Sequence, residues 1–146
     1  MPPVSPLFHT YALCCVVLSF QMLFLAGLTA ARRSTAKRLL NPEDSAVAFK
    51  GAEHLEAPEP ESVARVMRAH RNMNESLPIF FGLGFVFLFV GGSTLGGQIC
   101  FVTFTAGRLL HSVAYLNALQ PWRTIAYAVS AFALVGMMVQ IVMATL

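Results

Sequence analysis

The chain has 146 residues, of which 56 % are hydrophobic and only 12 % are charged. Soluble domains usually carry about twice that share of charged residues, so the composition favours an integral membrane protein in contact with membrane lipid. The formal net charge is +3, but the basic residues alternate with acidic ones and form no aromatic-basic patch. We therefore expect no nucleic-acid partner.

The first apolar segment runs from Tyr11 to Ala31 and is long enough to cross about 30 Å of hydrocarbon. No Lys or Arg precedes it, and Arg32 and Arg33 follow it directly, which is the reverse of the charge order in a signal peptide. It is predicted to be a membrane anchor within a helix over about 8–38.

A polar loop over about 39–60 separates this helix from three further predicted helices, at about 61–90, 98–119 and 122–144. The sequence therefore predicts an all-α integral membrane protein in which residues 1–146 form one domain, a bundle of four transmembrane helices. Three cysteines lie in apolar runs without ligand spacing, so neither a disulfide framework nor a metal site is predicted.

Charge is concentrated at one side of this bundle. All seven acids lie between residues 43 and 75, and eight of the ten bases lie between residues 32 and 71. The first loop and the turn before Arg123 fall on the same side of the bilayer. The positive-inside rule predicts that this side faces the cytoplasm, in the endoplasmic reticulum of a eukaryote or the inner membrane of a bacterium.

Polar residues recur at helical spacing in three of the helices, so each helix carries one polar stripe. The stripes consist of Arg68, Arg71, Asn72 and Glu75 on the second helix, Arg108, His111, Ser112 and Tyr115 on the third, and Arg123, Tyr127 and Ser130, with Thr124 alongside, on the fourth. Because a charge at membrane depth costs at least about 2.5–3.5 kcal/mol, the stripes are predicted to converge.

Two explanations for these stripes remain open. One is an internal ion-pair network in which Glu75 binds Arg71 at i, i+4. The other is a ligand site, since one acid cannot neutralise four arginines and arginine forks suit carboxylates. An arginine beside a thiol would also favour the nucleophilic thiolate. Composition and spacing do not name the ligand.

The segment Arg65–Asn72, followed by Glu75, resembles the second-helix signature of the membrane-associated proteins in eicosanoid and glutathione metabolism (MAPEG family). The resemblance extends from the first loop to the fourth helix and covers most of residues 33–127. Its other elements are Asn41-Pro42-Glu43-Asp44, Gly107-Arg108 with His111, Ala114-Tyr115-Leu116, and Arg123.

The resemblance implies a homotrimer with glutathione, the cosubstrate, bound between neighbouring subunits and no metal. The residues that it implies for glutathione binding are Arg33, Arg68, Arg71, Asn72, Glu75, His111, Tyr115, Arg123 and Tyr127. Arg123 would stabilise the thiolate, and Thr124 would supply a hydroxyl near sulfur. Asp44 matches a proposed proton-transfer residue, although the simpler explanation, an acid in the first turn of a capped helix, is favoured over it.

The resemblance implies one of two glutathione-dependent activities. The first is a membrane transferase that attacks lipophilic electrophiles or reduces lipid hydroperoxides. The second is an isomerase, a prostaglandin E synthase, although the turn from Tyr115 to Arg123 is one residue shorter than in that branch. Gln21 stands where that branch has lysine, and it is interpreted as an interhelical hydrogen-bonding residue. A non-catalytic regulator of lipid enzymes is a third alternative, which the presence of Arg123 disfavours.

Overall fold

The computed structural model describes residues 5–37, 58–90 and 92–146. These residues form four long helices, α1 (Pro6–Thr35), α2 (Glu61–Val90), α3 (Thr94–Leu116) and α4 (Trp122–Thr145). Each is long and apolar enough to cross a membrane. The predicted all-α architecture of four membrane-spanning helices is therefore confirmed.

The ends of the helices differ from the predicted ranges where local capping decides them. α3 begins before the predicted 98–119 because Ser93 caps its first turn, accepting the backbone N–H of Gly96 at 3.2 Å. It also ends earlier, because Ala118 has a φ of 58°, which interrupts the right-handed helix. α1 stops short of residue 38 in the same way, since Lys37 has a φ of 51°.

Aromatic packing holds α1, α2 and α3 together in the half of the bundle that carries no charged side chain. The ring of Phe80 stacks on Phe104 with centroids 4.5 Å apart and meets Phe101 edge-on at 5.9 Å. Tyr11 packs against Phe101 at 5.3 Å, and its hydroxyl donates to the carbonyl of Phe81 at 2.8 Å. This cluster fixes the helix spacing without any charged group.

Two contacts set the rotation of α3 within the bundle. The buried Gln21 donates through Nε2 to the Arg108 carbonyl at 2.9 Å and to Ser112 Oγ at 2.6 Å, which confirms its interpretation as an interhelical hydrogen-bonding residue. On the opposite side, a side chain at Gly107 would have its Cβ 3.1 Å from the Cβ of Ser130 on α4. These contacts direct the Arg108 side chain into the bundle.

The helices run alternately up and down. Near one end of the bundle, Tyr11 of α1 bonds to Phe81 of α2, Gln98 of α3 to Thr10 of α1, and Gln140 of α4 to Cys100 of α3. The end of α1, the start of α2, the end of α3 and the start of α4 therefore meet at the other end of the bundle. After Glu75, the sequence contains only two charged side chains, Arg108 and Arg123. The opposite end is consequently uncharged, which agrees with the asymmetry predicted from the sequence.

Candidate active site

Arg108 lies inside the subunit, where only 1 % of its surface is exposed. Its Nη2 donates to Asn72 Oδ1 across the α2–α3 contact at 2.8 Å. Beside it is a cavity of about 220 Å³ between α2, α3 and α4, whose lining includes Glu75, Tyr127 and Ser130. A buried cation therefore faces a small polar chamber, an arrangement that the cost of an isolated charge in lipid requires.

His111, Tyr115 and Tyr127 form a second group next to this chamber. His111 is 3 % exposed, and its ring centroid lies 5.5 Å from that of Tyr115 and 6.0 Å from that of Tyr127. The guanidinium carbon of Arg123 lies 4.7 Å from the Tyr115 ring centroid, within cation–π distance. The stripes of α3 and α4 therefore converge as predicted.

Gln120 connects Arg123 with Thr124. With its amide oxygen turned towards Arg123, it accepts from Nη2 at 2.6 Å and from Nε at 3.1 Å, and its amide nitrogen donates to Thr124 Oγ1 at 3.2 Å. Only this orientation pairs donors with acceptors on both sides. Sequence reasoning missed Gln120, although its i, i+4 spacing to Thr124 was a usable signal.

A wider cleft of about 490 Å³ opens between α1 and α2 at the charged end. Its lining includes the cationic side chains Arg33, Arg68 and Arg71, together with Glu59. Glu59 forms an ion pair with Arg33, with 3.0 Å between Arg33 Nη2 and Glu59 Oε1. No pattern in the sequence predicts this contact, because only the fold brings the loop residue and the helix end together.

The predicted convergence of the polar stripes is partial for α2, whose Asn72 and Glu75 border the chamber beside Arg108. The buried side chains in the polar half of α2 are all apolar: Val63, Val66, Ala69 and Met73. The stripe occupies the opposite side of the helix, where Arg71 and Glu75 are exposed and the Arg68 side chain is 47 % exposed. Asn72, at the edge of the stripe, is the residue that reaches Arg108.

The pair between Glu75 and Arg71, one of the two explanations for the stripes, is not formed. Among the ion pairs of the described residues, Glu61 binds Arg65 at 2.9 Å and Arg68 at 2.6 Å, and no pair joins Glu75 to Arg71. Because Glu61 lies in the first turn of α2, this small network belongs to the exposed start of the helix. This network does not include Arg71 or Glu75.

Asp44 lies in residues 38–57, outside the part of the chain that the structure describes. Cys14, Cys15 and Cys100 are free thiols. In the ranges 5–37, 58–90 and 92–146, no group of three or more His, Cys, Asp or Glu side chains could hold a metal ion.

Four apolar helices, a buried arginine and a basic cleft at one end define the chain as a multi-pass α-helical membrane protein. A model of the MAPEG family matches residues 11–143, and the chain belongs to that family. The resemblance inferred from the sequence motifs is thereby confirmed.

The relatives of this chain carry two different names. Prostaglandin E synthase from dog is 36 % identical over 97 % of this chain and 94 % of its own length. The human protein of that name is 35 % identical over 94 % of this chain and 89 % of its own. Microsomal glutathione S-transferase 1 from rat is 36 % identical over 84 % of this chain and 78 % of its own.

Proposed function

We propose that this protein is a glutathione-dependent membrane transferase. The observation that carries the proposal is the environment of Arg123, whose guanidinium is oriented by Tyr115 and Gln120. No ion pair among residues 5–37, 58–90 and 92–146 takes up its charge. A fixed cation without a carboxylate partner favours a thiolate over a thiol, and the thiolate is the nucleophilic form. The name of the rat relative, microsomal glutathione S-transferase 1, supplies glutathione as that thiol.

The remaining cations fit the charged ends of a glutathione molecule. Arg33, Arg68 and Arg71 line the cleft between α1 and α2 and would bind its carboxylates through guanidinium forks. Asn72 and Glu75 border the inner chamber and would bind its backbone and its ammonium group. His111, Tyr115 and Tyr127 would line the site next to sulfur.

The exposed stripe on α2 supports a homotrimer with glutathione between neighbouring subunits. Arg71 and Glu75 lie on a membrane-spanning helix and line open pockets in which both side chains stay exposed, and contact with lipid there would leave their charges uncompensated. A neighbouring subunit would cover them and would bring its own polar residues to the same place. Formation of the trimer would therefore bring the polar stripe of α2 together with polar residues that a single subunit does not place beside it.

The reaction follows from a stabilised thiolate in contact with lipid. The thiol proton leaves to solvent, and sulfur forms a bond to the electrophilic carbon as the leaving group departs with its electron pair. With a lipid hydroperoxide, sulfur bonds to the terminal oxygen as the O–O bond breaks, and the lipid alkoxide takes a proton from solvent and leaves as the alcohol. A second glutathione then condenses with the sulfenic acid to give the disulfide and water. Thr124 would donate a hydrogen bond to sulfur. The site would face the cytoplasm, in the endoplasmic reticulum or a bacterial inner membrane.

A second candidate is a prostaglandin E synthase that uses the same thiolate to isomerise an endoperoxide. The observation in its favour is coverage, since the dog synthase aligns with 97 % of this chain and the rat transferase with 84 %. The turn before Arg123, which the resemblance implies to be one residue shorter than in that branch, disfavours it.

A substrate panel on the purified protein tests the proposal. With saturating glutathione, we expect turnover of a chloronitrobenzene electrophile or a lipid hydroperoxide to exceed that of a prostaglandin endoperoxide, each measured by product formation above the uncatalysed rate. Turnover of the endoperoxide alone would replace the transferase with the synthase. Glutathione binding without any turnover would instead favour a regulator of lipid enzymes.

The Asp44→Asn variant separates the two roles proposed for this acid. If Asp44 transfers a proton, the variant should lower turnover by about 100-fold at unchanged glutathione affinity. If it is only an acid in the first turn of a capped helix, asparagine should leave turnover unchanged, because one charge near a helix N-terminus contributes only about 0.3–1 kcal/mol. Initial rates for the electrophile and for the endoperoxide distinguish the two results.

A further inference from the structure

Arg33 at the end of α1 already holds a carboxylate that belongs to the same chain. Arg33 Nε donates to Glu59 Oε1 at 3.1 Å, and Arg33 Nη2 lies 3.0 Å from the same oxygen. Nη2 also donates to Met67 Sδ at 3.0 Å. The two charged side chains are only 15 % and 20 % exposed, so solvent screens their attraction less than at an open surface.

The position of Glu59 is set by the start of α2 and not by Arg33. The residue stands between Pro58 and Pro60, which restrict the backbone on both sides of it. The carbonyl of Pro60 accepts the backbone N–H groups of Val63 and Ala64 at 2.9 Å each, which ties this segment to the first turn of the helix. The proline-flanked segment before α2 therefore places the Glu59 carboxylate in the cleft.

The ion pair is incomplete, and this makes it displaceable. Both guanidinium contacts go to one oxygen of Glu59, whereas the strongest arrangement pairs two nitrogens with two oxygens. The other oxygen, Oε2, is buried and has no hydrogen-bond partner among the described residues. A buried acceptor without a partner costs free energy, so an incoming carboxylate that uses the full fork of Arg33 would form the better pair.

We infer that Glu59 is an internal carboxylate that binds Arg33 when glutathione is not bound and is displaced by a carboxylate of glutathione. Glu59 thereby sets the affinity for glutathione without taking part in the chemistry. This inference rests on the proposed function, in which Arg33 is a glutathione-binding residue. It assigns an affinity-lowering role to a residue that none of the site motifs includes.

The test is the dissociation constant of glutathione, measured by titration calorimetry on the full-length protein in detergent without any electrophile. Glu59→Gln removes the competing charge and should lower the dissociation constant by about two- to fivefold, the range expected for displacing an ion pair of this exposure. Arg33→Gln should raise it. In the Arg33→Gln background, Glu59→Gln should cause no further change, because no guanidinium remains to be occupied.

An unchanged or a higher dissociation constant in Glu59→Gln would overturn the inference, since Glu59 would then be irrelevant or would hold Arg33 in place for the ligand. An equal gain in affinity with and without Arg33 would also overturn it, because the effect would be a general one of net charge. Thermal midpoints of the variants confirm that the fold is kept. Failure of the proposed function is seen separately, as glutathione binding by the unchanged protein without turnover.

Discussion

Replacing Arg123 by alanine is expected to lower glutathione-dependent turnover by about 100-fold or more, the usual effect of removing a group that stabilises a developing or reactive anion. Arg123 lies in the first turn of α4, where its guanidinium contacts Tyr115 and Gln120 and no described carboxylate. Its loss should therefore leave packing and assembly intact and should remove thiolate stabilisation alone. The ultraviolet absorbance of bound thiolate should fall together with the initial rate.

Two further variants make this result specific. Arg123→Lys keeps the charge but not the planar fork, so an intermediate rate is expected. Arg32→Ala removes an exposed arginine at the end of α1 and should behave as the unchanged protein. Elution volume in detergent monitors assembly. Full activity in Arg123→Ala would refute the assignment of Arg123 as the thiolate-stabilising residue.

Replacing Asn72 by leucine is expected to destabilise the fold by about 2–3 kcal/mol, because it deprives a buried arginine of its acceptor. Arg108 is 1 % exposed and donates to Asn72 Oδ1 at 2.8 Å. The apolar replacement would leave that donor facing a leucine at membrane depth. Thermal unfolding in detergent measures the loss as a lower midpoint.

The double variant Asn72→Leu/Arg108→Met provides the internal check. It removes the buried cation together with its acceptor, and apolar replacement of a whole buried polar pair is often neutral, so it should recover much of the lost stability. Asn74→Leu, on an exposed position of the same helix, should have little effect. Equal midpoints for Asn72→Leu and Asn74→Leu would show that the hydrogen bond to Arg108 does not contribute to stability.

The positions of the spans were largely predictable from sequence, whereas helix ends were predictable only where capping was recognised. Ser93 starts α3 ahead of its apolar run, and Ala118 ends it early through a positive φ. Each end of α3 thus depends on a single residue, and the pattern of hydrophobic residues does not indicate such a residue. Gln21 illustrates the opposite case, since a lone amide within an apolar helix has few roles besides bonding to a neighbour.

The sequence by itself determined the four spans, the charged end, the family motifs and the angular position of each polar residue on its own helix. Hydropathy defines the spans, and the 3.6-residue period of the helix defines the angular positions, so both depend only on the local sequence. Only the tertiary structure decided which stripes share a site, because the rotation of a helix in a bundle depends on packing against its neighbours. On α3 the contacts of Gln21 and Gly107 turn Arg108 inward. On α2 the apolar face packs in the core, which leaves Arg71 exposed and Glu75 at the open border of the chamber.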